Sequence, residues 1–350
     1  MFLTIDQGTT SSRALLFDEK GQVIDLFQKD FKQIYPNEGW VEHNPLEILS
    51  STILCCESII SKNSNIEIKS IGITNQRETI LAWDKKTGKP FYNAIVWQDR
   101  RTSEFCSNLK KEGLEKEINK KTGLLLDPYF SSSKISWLLE NVNGLRNLAN
   151  KGDVCFGTVD SWLIWNLTNG DTFATDYTNA SRTSLYNIQT LKWDDELLSI
   201  FDIPLQSLPE VRNSNDYFGE TKLLSKKLKI TGVIGDQQSS AFGQSCYQSG
   251  DVKSTYGTGC FLLANTGKEI IYSKKKLLTT IAYKINDDLS YALEGSIFMA
   301  GGIMNWLKLN LGILDNVSDS SKIASSVDPS SKVVLVPAFS GLGAPHWSAE

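Results

Sequence analysis

Residues 46–62, LEILSSTILCCESIISK, constrain the fold more than any other stretch. Leu46, Leu49, Ile53, Cys56 and Ile60 recur at helical spacing, which makes the segment an amphipathic helix with one face to bury. The apolar runs of LTIDQGTTSSRALLFD (3–18) precede it, and IKSIGITNQ (68–76), rich in β-branched residues, follows it. Strand, amphipathic helix, strand is a βαβ unit. Farther along, TILAWDKKTGKPFYNAIVW (79–97) reads as a hairpin turning at Lys85–Gly88. SSKISWLLENV, VDSWLIWNLTN and DDELLSIFDIP read as helices, the last stopped before Pro204. The class is α/β with mixed strands.

The opening stretch sets an acid, Asp6, at the end of a strand. A tip of glycine and hydroxyl residues follows, and Arg13 heads the next strand. The simple reading is a hairpin turn with Gly8 free to take positive φ. Backbone N–H groups at a small-residue turn also form an anion-binding concavity, and a carboxylate beside it can hold a hydrated Mg²⁺. It is not a Walker A loop: no Lys follows the glycine, and RALLFD reads as a strand. The same outline returns later. KITGVIGDQQSSAFGQSC is a strand, then Asp236, then a helix, and DVKSTYGTGCFLLANTG (251–267) is again strand, small-residue turn, strand. Two such turns far apart point to two lobes of related build with a nucleotide cleft between them.

Composition narrows the chemistry. A net charge of −4, from 36 basic and 40 acidic residues, leaves no nucleic-acid footprint. No basic block addresses an anionic membrane, and no uncharged apolar run is long enough to span a bilayer. LKKEGLEKEINKK (109–121) mixes signs, as a solvated helical face does. MFLTIDQ runs straight into the first strand, with no leader pattern. The six cysteines form no C-x-x-C, and buried reduced thiols of a cytoplasmic protein are the simplest account. With only His43 and His346 in the chain, a zinc site or a Ser-His-Asp triad is not expected, and any base must be a carboxylate.

A run of motifs then carries a resemblance: IDQGTTSSRA, QIYPNEGWVEHNP, IGITNQRETI, NAIVWQDRR, GLLLDPYFS, FGTVDSWLIW, TDYTNASRT, GDQQSSAFGQ, STYGTGCF, LLTTIAY, YALEGSIFMAGG and VPAFSGLGAPHW, in order over nearly the whole chain. The sequence resembles the glycerol kinases, within the carbohydrate-kinase family that carries the two-lobed actin/hexokinase-type ATPase fold. NQRE and GDQQ narrow it from the wider family to glycerol. The resemblance implies transfer of a phosphoryl group from MgATP to a terminal hydroxyl of glycerol, giving sn-glycerol 3-phosphate. Asp236 is implied as the base, with an N-cap as its structural alternative. Arg77, Glu78, Trp97, Tyr129, Gln237 and Phe261 are implied around glycerol. Thr9, Thr10, Ser11, Arg13, Thr258, Gly301 and Asn305 are implied at the nucleotide, and Asp6 near Mg²⁺. Read without the resemblance, Arg77 and Glu78 would be an exposed ion pair, and Trp97 and Phe261 core aromatics.

Three departures qualify what the resemblance implies. The family usually has Gln where this chain has Asn305. KLLSKKLKITG (222–232) stands where members inhibited by a sugar bisphosphate carry a glycine-rich loop with an Arg, so that regulation is not expected. The chain stops at Glu350 while the family continues, so the expected layout is an N-terminal lobe, 1–246, and an incomplete C-terminal nucleotide-binding lobe, 247–350, closing just after an apolar strand at 332–339. Two other readings stay open. One is a kinase of another small polyol or ketose; the other is a truncated, non-catalytic protein that binds a polyol or nucleotide. Oligomeric state is left open.

Overall fold

A computed structural model describes the chain except for Thr258, Ser340, Ala349 and Glu350. Its first sheet has five strands in the order Ile230–Gly235, Ser70–Asn75, Phe2–Gln7, Ser11–Phe17, Val23–Asp30. The first three run parallel and the last two complete an antiparallel meander, which is the mixed pairing expected. In register, Gln7, Asn75 and Gly235 end together on one edge. The residues just past them therefore converge, at the carboxyl ends of parallel strands where open α/β sheets gather their ligands.

Alternation explains which face is packed. Leu3, Ile5, Ile71, Ile73 and Val233 are buried, while Thr4, Asp6, Gly72 and Thr74 point to the half-open face. Helix Pro45–Lys62 covers the packed face and makes the crossover to Ser70–Asn75. The Asn44 side chain caps it by accepting from the Leu46 N–H at 2.9 Å, with Pro45 at its start. Its buried face differs from the sequence reading. Leu46 is exposed, and the face is Ile48, Ser51, Thr52, Cys55, Cys56, Ile59 and Ile60. The stripe turns because Ser51 and Thr52 go inward at little cost, both hydroxyls donating to Ile48 O and Ser12 Oγ lying beside them. A second helix, Val159–Leu167, is buried nearly all round in the same core.

Ile80–Asp84 is the centre of a smaller sheet, in the order Glu42–His43, Ala94–Ile95, Ile80–Asp84, Val154–Thr158. The hairpin read at 79–97 forms and turns at Lys85–Gly88: Asp84 N–H donates to Lys89 O and Phe91 N–H to Ala82 O, each at 2.9 Å, and Ile80 pairs with Ile95, while the other edge of Ile80–Asp84 pairs with Val154–Thr158. Residues 109–121 form the end of one helix and most of another, broken at Gly113 with φ 82°.

The second large sheet is antiparallel, in the order Val252–Tyr256, Cys260–Gly267, Asp288–Ile297, Leu278–Ile285. Helix Asp236–Gly243 packs between it and the first sheet. The strand expected at 332–339 does not form. Val333, Val334, Leu335 and Val336 are exposed and make no ladder, because β-branched residues become a strand only where a neighbouring edge accepts them. All six cysteines are free thiols, five of them buried. No helix among the described residues is long and apolar enough to cross a membrane.

Candidate active site

The two small-residue turns face each other across a cleft of about 260 Å³. From the first sheet come Gly8, Thr9, Thr10, Ser11 and Arg13; from the second, Thr255, Gly257, Gly259 and Phe261; and between them Arg77, Glu78, Trp97, Tyr129, Asp236 and Gln237. Eleven residues singled out in the sequence thus meet in one cavity, though the described pairs of Arg77 and Glu78 lie as far as 217 positions away along the chain.

Arg77 and Glu78 are not the exposed pair that sequence alone allows. Their side chains are 2% and 1% exposed and 3.9 Å apart. Arg77 instead grips Glu294 with both terminal nitrogens, at 2.6 and 3.0 Å, and sets its Nε 3.3 Å from an Asp236 oxygen. Arg182 donates to Glu78 at 2.6 Å and to Glu294 at 2.9 Å. Two guanidinium and two carboxylate groups are therefore buried as a neutral, mutually bonded set, the condition under which buried charge is tolerated. Burial pushes the Glu294 carboxyl up, but Arg182 and Arg77 outweigh it and hold it down at about 2. Trp97, Tyr129 and Phe261 close round as an aromatic wall, with Trp97 5.7 and 5.9 Å from the other two rings. The Trp97 indole N–H also donates to Thr9 Oγ1 at 2.9 Å and so ties this wall to the first turn.

Asp236 opens helix Asp236–Gly243 but does not cap it. The N-cap position belongs to Gly235, and the Asp236 carboxylate accepts from the adjacent Gln237 N–H at 2.7 Å beside the Arg77 ion pair. A third of its side chain is exposed, toward the cleft. Burial in the cleft floor pushes its carboxyl up to about 6; Arg77 opposes the rise, and Glu78 and Asp6 add to it. The glycine before it is required: a Cβ on Gly235 would stand 2.8 Å from Arg77 Cδ, where the arginine passes over the strand end.

The first turn has the features of an anion cradle. Its carbonyls are tied from behind, Thr10 O by Phe31 N–H at 3.2 Å and Thr9 O by the Gln33 amide at 3.0 Å. The Thr9 and Thr10 N–H groups find no acceptor among the described residues. Gly8 does not use positive φ; its N–H bonds Ser11 O at 2.9 Å, and a Cβ would meet that oxygen at 3.3 Å. Arg13, 43% exposed, lies 3.4 Å from Asp6, whose carboxyl burial raises against the pull of Arg13.

Asp6 stands just behind the cleft lining. No group of three or more acidic, His or Cys side chains among the described residues could hold a metal unaided. The donor set fits Mg²⁺, which is usually held by one or two carboxylates together with substrate phosphates and water. The negative charge of Asp6 adds to the upward push on Asp236, a charge that a cation held nearby would offset. Asp6 is the residue that would hold it.

Gly301 and Asn305 are placed apart from the lining. The Gly301 N–H donates to Gly257 O at 2.9 Å, and a Cβ there would come within 2.6 Å of that oxygen, so only glycine lets the helix Gly301–Leu309 start against the second turn. Asn305 is exposed one turn along. Thr258 lies outside the described residues. Sequence reasoning missed Arg182, Glu294, Gln238 and Lys253. Gln238 accepts from Arg77 at 3.1 Å and donates to Ile281 O at 3.2 Å, joining the helix to both sheets. One signal for Glu294 existed: it shares the buried face of its strand with Ser290, Ala292 and Ser296, and an acid there needs a cation.

Comparison with known proteins agrees over the whole chain. A glycerol kinase of Paraburkholderia phytofirmans is 55% identical over 351 residues, covering 99% of this chain and 70% of its own length. One from Sinorhizobium fredii is 56% identical, covering 99% of this chain and 71% of its own. The crystal structure of Plasmodium falciparum glycerol kinase with ADP superposes with a TM-score of 0.89 at 41% identity, covering all of this chain and 71% of that one. Residues 1–243 match the N-terminal domain of the FGGY family of carbohydrate kinases and residues 252–350 its C-terminal domain. The chain belongs to the FGGY family of carbohydrate kinases.

Proposed function

We propose that the chain transfers the γ-phosphoryl group of MgATP to a terminal hydroxyl of glycerol, giving ADP and sn-glycerol 3-phosphate. It is an ATP-dependent phosphotransferase of its family, and relatives named glycerol kinase match it at 55% identity. The observation that carries the choice of chemistry is the position of Asp236, a carboxylate at the seam between a polar, aromatic-walled pocket and a phosphate-sized turn. A base with a carboxyl near 6 is ionised at neutral pH yet basic enough to take a proton from a hydroxyl as its oxygen attacks phosphorus. Arg77 and Glu78 offer a donor and an acceptor to neighbouring hydroxyls, and Trp97, Tyr129 and Phe261 give the carbon chain apolar surface. Thr9, Thr10, Ser11 and Arg13 would take the phosphates. Asp6 would hold Mg²⁺, which when bound would supply neutralisation of phosphate charge. Gly301, Asn305 and Thr258 remain proposed contacts of the nucleotide from the second sheet's side.

A coupled ADP-release assay with a panel of glycerol, other small polyols and ketoses tests this. Glycerol is expected to give the highest kcat/KM. Turnover of a ketose that equals or exceeds that of glycerol would overturn the substrate reading.

A further inference from the structure

Lys253 is a buried lysine that the mechanism above does not use. It lies on strand Val252–Tyr256 and is 5% exposed. The register explains its placement. Lys253 pairs with Leu263 and Leu263 with Glu294, so Lys253 and Glu294 share one face of the sheet; Thr255, two residues on, lies on that face too. Helix Asp236–Gly243 packs against this sheet and brings Gln237 over the lysine. The ammonium donates to Gln237 Oε1 and, at 2.8 Å, to Thr255 Oγ1. Gln237 and Thr255 both line the cleft, and Lys253 stands behind them.

An ammonium has donors and no acceptor, whereas an amide side chain has one end of each kind. Gln237 can therefore meet Lys253 only with its oxygen, which turns its NH₂ toward the cleft. Thr255 likewise spends an oxygen lone pair on the lysine and keeps its proton free to donate. Burial and the nearby Arg77 bring the ammonium down to about 8, with Glu294 and Asp236 resisting, so it is still a cation at neutral pH. We propose that Lys253 is a positioning residue: by occupying the acceptor atoms of Gln237 and Thr255, it fixes both as hydrogen-bond donors toward the ligand. The cleft then favours a ligand that presents lone pairs there, a polyol hydroxyl oxygen to Gln237 and an anionic oxygen to Thr255. This rests on the reading of the cleft as a polyol kinase site.

A double-mutant cycle tests it. Lys253→Met keeps the volume and removes the donor; Gln237→Ala removes the oriented amide. Glycerol binding is titrated through tryptophan fluorescence, Trp97 being in the cleft wall, and kcat and KM are measured alongside. Each single variant is expected to weaken glycerol binding about tenfold, the worth of one well-made hydrogen bond, with a smaller change in kcat. The double variant should bind no worse than the weaker single one, because both remove the same contact. Gln237→Glu, nearly isosteric, keeps Lys253 paired but turns an acceptor toward the polyol, and the same tenfold loss is expected even if Lys253→Met does not fold. Losses that simply add, wild-type binding by Lys253→Met, or wild-type binding by Gln237→Glu would each overturn the inference. If the wild type binds another polyol and not glycerol, the substrate reading falls, and the same cycle run with that polyol decides the role of Lys253.

Discussion

Replacing Glu294 with Gln should reveal how much of the fold depends on the buried charge set. Its carboxylate accepts from Arg77 at 2.6 and 3.0 Å, from Arg182 at 2.9 Å and from Ser296 at 3.0 Å. Glutamine keeps the shape but removes the charge, and it turns an NH₂ toward a guanidinium. The magnitude follows from the titration of the acid. Its ordinary value is 4.5; burial alone would raise it, yet Arg182 and Arg77 hold it at about 2. That difference corresponds to about 3 kcal/mol of stability at neutral pH, and the group is fully buried, so solvent screening removes little of it. Breaking a buried pair by removing one partner is typically worth ~3–5 kcal/mol, which agrees. Because the folded value lies below the unfolded one, the contribution is whole above the unfolded value of 4.5 and is lost as pH falls toward 2. Urea unfolding followed by tryptophan fluorescence, for both proteins from neutral pH down to about 3, should show a gap of about 3 kcal/mol that narrows below about pH 5. A gap below about 1 kcal/mol at neutral pH, or one that stays constant with pH, would refute the reasoning.

Two further tests address the chemistry. Asp236→Asn should lower kcat about 10²-fold or more with glycerol still bound, and wild-type kcat/KM should fall as pH drops through about 6, since the base must be ionised; near-normal turnover or a profile flat below that pH would exclude it. Asp6→Ala should weaken the Mg²⁺ dependence of turnover and leave glycerol binding nearly unchanged, as an isothermal titration with glycerol would show; a large loss of glycerol affinity would place Asp6 in the polyol pocket instead.

Much of the site could be read from local sequence, because its parts sit at punctuation marks of the chain. Asp6, Arg77 and Asp236 each lie at or just past the end of a strand of the same parallel set, and small residues mark both turns. Arg182, Glu294 and Gln238 were missed because they depend on partners 104 to 217 residues away, such as Glu78 with Arg182 and Arg77 with Glu294, and Lys253 because nothing in its strand's sequence says that Gln237 stands over it. Periodicity tells which face a residue occupies but not what stands opposite it. The helix Pro45–Lys62 shows the converse error. Its apolar spacing put Leu46 inside, whereas Ser51 and Thr52 took buried positions by bonding to Ile48 O. The apolar run at 332–339 had strand composition but pairs with no strand among the described residues.

The grip of Glu294 on Arg77 and Arg182 also determines where the molecule can flex. Glu294 belongs to the second sheet, and both arginines come from the first part of the chain. Separating the two parts at the polyol end would leave Glu294 without either guanidinium and, within the buried set of four, the two arginines with only Glu78 to balance them. Motion that widened the gap between the Gly8–Ser11 and Gly257–Gly259 turns would break none of those bonds. The ion set therefore clasps the two parts at the polyol end of the cleft, whereas among the described residues no hydrogen bond joins the Gly8–Ser11 turn to the Gly257–Gly259 turn at the other end.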